Sequence, residues 1–132
     1  MNTAVIGLGS NIDPDQNIPK AREALSKHFK IMGESRFIKT KPIGCIGEDF
    51  INGAVLIYTD ATCVQLRSTL KDIEVSLGRT KEMSGYHARV IDLDMVIWNN
   101  AVVDDDFYKR DFVRQSVLEL LPDLKYPQPN RN

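Results

Sequence analysis

The segment Phe50 to Tyr58, Phe-Ile-Asn-Gly-Ala-Val-Leu-Ile-Tyr, constrains the fold more than any other part of the chain. It is apolar at nearly every position rather than at every second one. That pattern marks a strand covered on both faces and therefore placed inside a sheet. Such a strand requires partners beside it and further elements above and below. The chain has the material: 132 residues, 42% of them apolar. A chain of this length buries roughly two-thirds of the surface its unfolded form exposes, so neither metal nor disulfide is needed to hold a core. One domain covering residues 1–132 is expected.

The elements around that strand follow from periodicity and punctuation. Residues 3–8 read as a buried first strand ended by the turn-forming Gly9-Ser10-Asn11. Asp13 and Pro14 then stand as N-cap and first helical residue, and Ile18, Ala21, Leu25 and Phe29 repeat at helical spacing up to Gly33. Ser35 to Lys41 alternates as a half-exposed strand, and Pro42 to Asp49 is a loop. After Phe50–Tyr58, the segment Thr59-Asp60-Ala61-Thr62 supplies capping side chains. Cys63, Leu66, Leu70, Ile73 and Leu77 then form a helical stripe that stops at Gly78. Arg79 to Ala88 is an aperiodic basic loop. Val90 to Trp98 is a strand, Asn99-Asn100 a hairpin turn and Ala101 to Val103 the returning strand. A last helix begins at Arg110 or Phe112 and runs to Leu121, where Pro122 stops it, and the tail after Tyr126 frays. The order is β-α-β-β-α-β with an added hairpin strand and helix. It predicts an α+β fold: a ferredoxin-like split βαβ sandwich, its antiparallel sheet covered by helices.

Composition removes several function classes. With 17 basic against 18 acidic side chains and a formal charge of −1, the chain lacks the basic excess of a nucleic-acid binder. A ferredoxin-like RNA-binding domain would also need exposed aromatics on central strands, and Phe50 to Val55 does not supply them. No apolar run approaches the ~20 residues of a membrane span, and no signal-peptide pattern opens the chain. Cys45 and Cys63 have no companions at zinc-ligand spacing and read as reduced thiols. A cytoplasmic protein is expected, with a monomer favoured.

The chemistry concentrates in Arg89-Val90-Ile91-Asp92-Leu93-Asp94-Met95-Val96-Ile97-Trp98. A strand's period of two puts Asp92 and Asp94 on one face, about 7 Å apart along the strand, and Ile91, Leu93, Met95 and Ile97 on the other. Carboxylates in an apolar strand are costly to bury unless neutralised. Magnesium, which favours one or two carboxylates plus phosphate oxygens and water, would neutralise them. Arg79, Lys81 and Arg89 just upstream suit a polyphosphate. The alternative is a solvated strand face, or carboxylates paired with Arg89 and Lys71. Gly7-Leu8-Gly9 starts a dinucleotide fingerprint that Ile12 breaks, and no P-loop exists.

Taken in order, Gly9-Ser10-Asn11, Thr40-Lys41-Pro42-Ile43-Gly44, Phe50-Ile51-Asn52, Glu74 with Gly78-Arg79, and Arg89-Val90-Ile91-Asp92-Leu93-Asp94 make the chain resemble the 6-hydroxymethyl-7,8-dihydropterin pyrophosphokinases of folate biosynthesis, from about Ala4 to Leu124. The resemblance implies a ferredoxin-like sandwich that transfers the terminal diphosphate of ATP to the pterin hydroxymethyl group and releases AMP. It implies two Mg²⁺ ions on Asp92 and Asp94, and a pterin pocket of Thr40, Ile43, Phe50, Asn52 and Phe112. A nucleotide and phosphate side would comprise Glu74, Arg79, Lys81, Arg89 and Arg110, with Arg79, Lys81, Arg89, Asp92 and Asp94 as the catalytic set. Chemically, Phe50 and Phe112 would supply stacking faces and Asn52 the donor and acceptor a flat amide-rich ring needs; otherwise both phenylalanines are core. Where the family typically has Val-Pro-His, this chain reads Val102-Val103-Asp104-Asp105-Asp106. Those carboxylates either face solvent or oppose a triphosphate. The second case keeps a non-catalytic pterin- or nucleotide-binding paralogue as the alternative function.

Overall fold

A computed structural model describes residues 1–41, 48–78 and 89–128. Strand β1 spans Asn2–Ser10, and helix α1 spans Pro14–His28. Strands β2 (Lys30–Glu34), β3 (Ile38–Thr40) and β4 (Phe50–Thr59) follow, then helix α2 (Cys63–Ser76). Strands β5 (Asp92–Trp98) and β6 (Ala101–Val102) form a hairpin, and helices α3 (Asp106–Lys109) and α4 (Asp111–Leu120) close the order. The sheet runs β2-β4-β1-β5-β6, with β3 pairing β4 beside β2, and all pairings among the described residues are antiparallel. β4 lies between β1 and β2, which makes the split βαβ arrangement that the order of elements predicts. No helix among the described residues is long and apolar enough to cross a membrane.

Two apolar layers sandwich the sheet. On one face Ala4, Ile6, Leu8, Val55, Ile57, Leu93 and Met95 pack with Ile18, Ala21 and Leu25 of α1 and with Leu66, Leu70 and Ile73 of α2. On the other, Val5, Ala54, Val96 and Ile97 pack with Phe107 of α3 and Val117 of α4. Ile97 therefore lies opposite the face that strict alternation predicts. β5 carries one more residue than β1 between the pairs Ile6↔Met95 and Val5↔Ile97, and this bulge at Val96 flips every later side chain.

Element boundaries also differ from the sequence expectation, the strand expected over Ser35 to Lys41 being confined to Ile38–Thr40. β1 continues through Gly9 and Ser10, which pair with Asn52 and Ile51, so these residues are strand rather than turn. Helix α1 ends at His28 because Phe29 becomes extended (φ −138°, ψ 158°), and Lys30–Glu34 pairs with β4 instead of finishing the helix. Gly33 belongs to a register shift in that strand, not to a helix stop. Asp13 occupies the N-cap position without a side-chain bond and with positive φ, whereas Thr62 and Gln65 form a complete capping box on α2. Asn99 and Asn100 both take positive φ (48° and 67°), which a two-residue turn twisted to match its strands requires.

Candidate functional site

The site's floor is set by three strands in register. Gly9 pairs with Asn52 of β4 on one side and Asp92 of β5 on the other; Gly7 pairs likewise with Ala54 and Asp94. Strand neighbours lie about 4.8 Å apart, so Asn52 and Asp92 flank a trough about 10 Å wide with no side chain in the middle. Gly9 is indispensable to that geometry: a Cβ there would lie 2.5 Å from Asn52 Oδ1. The Gly-x-Gly of β1 is thus a period-two pair of missing side chains, not the start of a phosphate loop. Ser10 next to it is fully buried, its hydroxyl donating to the carbonyl of Ile12.

Around this floor the fold gathers residues from separated segments into one cleft: Thr40 from β3, Phe50 and Asn52 from β4, Asp92 and Asp94 from β5, and Arg110 and Phe112 at the start of α4. Asn52 Nδ2 donates to Thr40 Oγ1, which holds the amide plane over the trough. Phe50 and Phe112 are half-buried and belong to neither core layer, so the reading of these rings as plain core gives way to cleft walls. Ile43, Arg79 and Lys81 lie outside the described residues, as do most of the two expected loops around them.

Two residues expected on the nucleotide side do not line the cleft. Glu74 is buried (8% exposed) on α2, and its Oε2 accepts the backbone N–H of Leu93 at 2.8 Å, behind the strand and between the two aspartates. Arg89 precedes β5, with Nε 3.7 Å from Asp92 Oδ1. Its backbone is clamped to Asn11: Arg89 N–H donates to Asn11 Oδ1 (2.6 Å) and Asn11 N–H to Arg89 O (3.1 Å). Asn11 also donates weakly to Glu48 O.

The carboxylates dominate the electrostatics. Asp104 and Asp106 are half-buried and line the same cleft, while Asp105 is exposed, so the acidic run does not simply face solvent. Asp94 opens into the cleft, yet the walls strip away enough water, with Asp92, Asp104, Glu74 and Asp106 adding like charge, to push its pKa up to about 7. Arg110 Nε lies 4.0 Å from Asp106 Oδ1. Hard oxygen donors with excess negative charge fit a divalent cation such as magnesium rather than zinc. Among the described residues no three His, Cys, Asp or Glu side chains converge on a metal-sized site. Asp92 and Asp94 would therefore hold such an ion by two carboxylates, leaving other positions to ligand oxygens and water. Sequence reasoning missed Gly7 and Ser116 as cleft residues and left the placement of Asp104 and Asp106 open. Alternation along β1 was the available signal for the glycine.

A split βαβ sandwich with two strand carboxylates, two rings and a fixed amide lining one cleft suits an α+β enzyme acting on small molecules. Residues 5–122 match the sequence profile of the 7,8-dihydro-6-hydroxymethylpterin-pyrophosphokinase family, and the chain belongs to that family. It is 30% identical to a 2-amino-4-hydroxy-6-hydroxymethyldihydropteridine pyrophosphokinase of Haemophilus influenzae, over 96% of this chain and 86% of that protein. It is 34% identical to the protein of the same name from Methylorubrum extorquens, over 94% of this chain and 85% of the relative. A bifunctional protein FolKE of Lactococcus lactis is 31% identical over 99% of this chain, which spans only 41% of that longer relative.

Proposed function

We propose that this protein transfers the terminal diphosphate of ATP to the hydroxymethyl group of 6-hydroxymethyl-7,8-dihydropterin, releasing AMP, as a cytoplasmic step of folate biosynthesis. One observation carries the assignment of the site: Thr40, Phe50, Asn52, Asp92, Asp94, Arg110 and Phe112, drawn from four elements, line one cleft over a glycine floor.

The chain's residues divide the work by position. The pterin lies over the Gly7–Gly9 trough between Phe50 and Phe112, and Asn52, oriented by Thr40, reads the ring's polar edge. Asp92 and Asp94 would hold two Mg²⁺ ions. When bound, magnesium supplies charge neutralisation on the phosphates and acidification of the attacking hydroxyl, so no protein base is required. Arg110, with Arg79, Lys81 and Arg89, carries the remaining phosphate charge and fixes the β-phosphorus in line with the hydroxyl. Glu74 acts from behind, through the Leu93 amide, to hold the two aspartates in register.

A second reading, a paralogue that binds pterin or nucleotide without turning over, draws its support from Asp104 and Asp106 in the cleft. Incubation with ATP, Mg²⁺ and the pterin separates the two. AMP formation that disappears in Asp92→Ala and in Asp94→Ala, with far-UV circular dichroism unchanged, supports the transferase. Pterin binding without AMP supports the paralogue, and near-parental activity in either variant refutes the metal assignment.

A further inference from the structure

We propose that Asp106 is a specificity-determining residue of the nucleotide side: its carboxylate holds the Arg110 guanidinium, so a polyphosphate reaches that cation only by displacing it. The proposal rests on the reading of the cleft as an ATP site and adds a condition on the form of nucleotide the site accepts.

The three consecutive aspartates are placed differently. Asp104 turns back on the chain, its Oδ1 accepting the backbone N–H of Asp106 at 2.9 Å, and Asp105 is exposed. Asp106 opens α3, and Arg110 follows one helical turn later, its N–H donating to the carbonyl of Asp106 at 2.9 Å. Arg110 is the extended residue that caps α3 (φ −122°, ψ 111°), its Nε lies 4.0 Å from Asp106 Oδ1, and both residues line the cleft. Arg89 is paired in a parallel way, 3.7 Å from Asp92. Asp92, however, belongs to the carboxylate pair that a divalent cation would occupy, so loading the site weakens that ion pair. Asp106 stands on α3, apart from that strand pair, so an ion held by Asp92 and Asp94 leaves the Asp106–Arg110 contact in place.

A bare polyphosphate entering this cleft meets the carboxylates of Asp92, Asp94, Asp104 and Asp106 against two lining cations, Lys41 and Arg110, of which Arg110 is engaged by Asp106. A nucleotide already carrying magnesium brings less net charge past those groups and competes with Asp106 on better terms. Asp106 thereby biases Arg110 toward metal-complexed nucleotide. The pair is half-exposed, so its effect on affinity is about two- to fivefold.

The test measures the Kd of MgATP, and of ATP in excess EDTA, by calorimetry, without pterin and at fixed ionic strength, for the parent, Asp106→Asn, Asp104→Asn, Arg110→Gln and the Asp106→Asn/Arg110→Gln double variant. Asp104→Asn removes the same charge but keeps an oxygen for the Asp106 N–H. Asp106→Asn is expected to tighten binding of bare ATP about two- to fivefold more than Asp104→Asn does, and that of MgATP by less, with the excess gone in the Arg110→Gln background. Equal tightening by both asparagines, or an excess that survives loss of Arg110, overturns the proposal while leaving the transferase reading intact if the parent releases AMP. Absence of nucleotide binding and of AMP release in the parent overturns both.

Discussion

Two residues show how single groups set this site's chemistry. Gly9 has room for no side chain only because Asn52 reaches over it, and the atom a new Cβ would strike is the movable end of that amide. Gly9→Ala is therefore expected to leave the melting temperature within a few degrees while swinging Asn52 away from Thr40. Pterin KM should rise about tenfold or more, the loss of roughly one well-placed hydrogen-bonding group. Steady-state kinetics beside a thermal melt would check it, and unchanged KM would remove Asn52 from the pterin pocket. Asp94 sets a pH dependence. Its pKa stands near 7 in the fold against 3.8 unperturbed, so between those values the folded state holds a proton that the unfolded chain has lost. The stability tied to this group is complete below pH 3.8 and drains away as pH rises through 7. The metal-free protein should melt a few degrees lower at pH 8 than at pH 5.5, and Asp94→Asn should flatten that slope. A variant with the parental slope would place the titration elsewhere.

At the level of elements, the contact between α2 and β5 deserves a direct probe, since Glu74 is the buried acid that ties them. Glu74→Ala leaves the Leu93 amide without that acceptor at a buried position, which costs about 1–3 kcal/mol. Glu74→Gln keeps an oxygen there and should recover most of the stability, read from urea midpoints; equal losses in both would mean that the charge, not the acceptor, matters. Legibility in the sequence followed the same physical division. β4 and α2 could be read because their signals are local: an unbroken apolar run in one, a stripe with a capping box in the other. β2 could not, because Lys30–Glu34 is short, its alternation is interrupted at Gly33, and pairing with β4 rather than local preference makes it a strand. The bulge at Val96 was equally hidden, being a relation between β5 and β1 that neither strand carries alone. At the site, Asp92, Asp94, Asn52 and the two rings were legible as residue types in a recognisable order. The inward placement of Asp104 and Asp106 depends on how the β5–β6 hairpin delivers α3 back over the sheet.

The whole molecule stores its function as an electrostatic imbalance. The chain is nearly neutral, at −1, yet Asp92, Asp94, Asp104 and Asp106 converge on one cleft where Arg110 is engaged with Asp106. A fold that concentrates like charge is less stable than it would be with that charge dispersed, and a divalent cation that binds only the folded form recovers the difference. Mass action sets the scale: an ion at a hundred times its Kd stabilises by about 2.7 kcal/mol. Magnesium alone should therefore raise the melting temperature at pH 8. The increment should shrink at pH 6, where Asp94 has largely regained its proton and the ion must displace it. Replacing both strand carboxylates, Asp92→Asn with Asp94→Asn, should raise the metal-free melting temperature and abolish the magnesium increment together, since both effects arise from the same repulsion. Were the increment to persist in that double variant, the ion would be bound elsewhere, and the cleft's carboxylates would be a burden without a cation to relieve them.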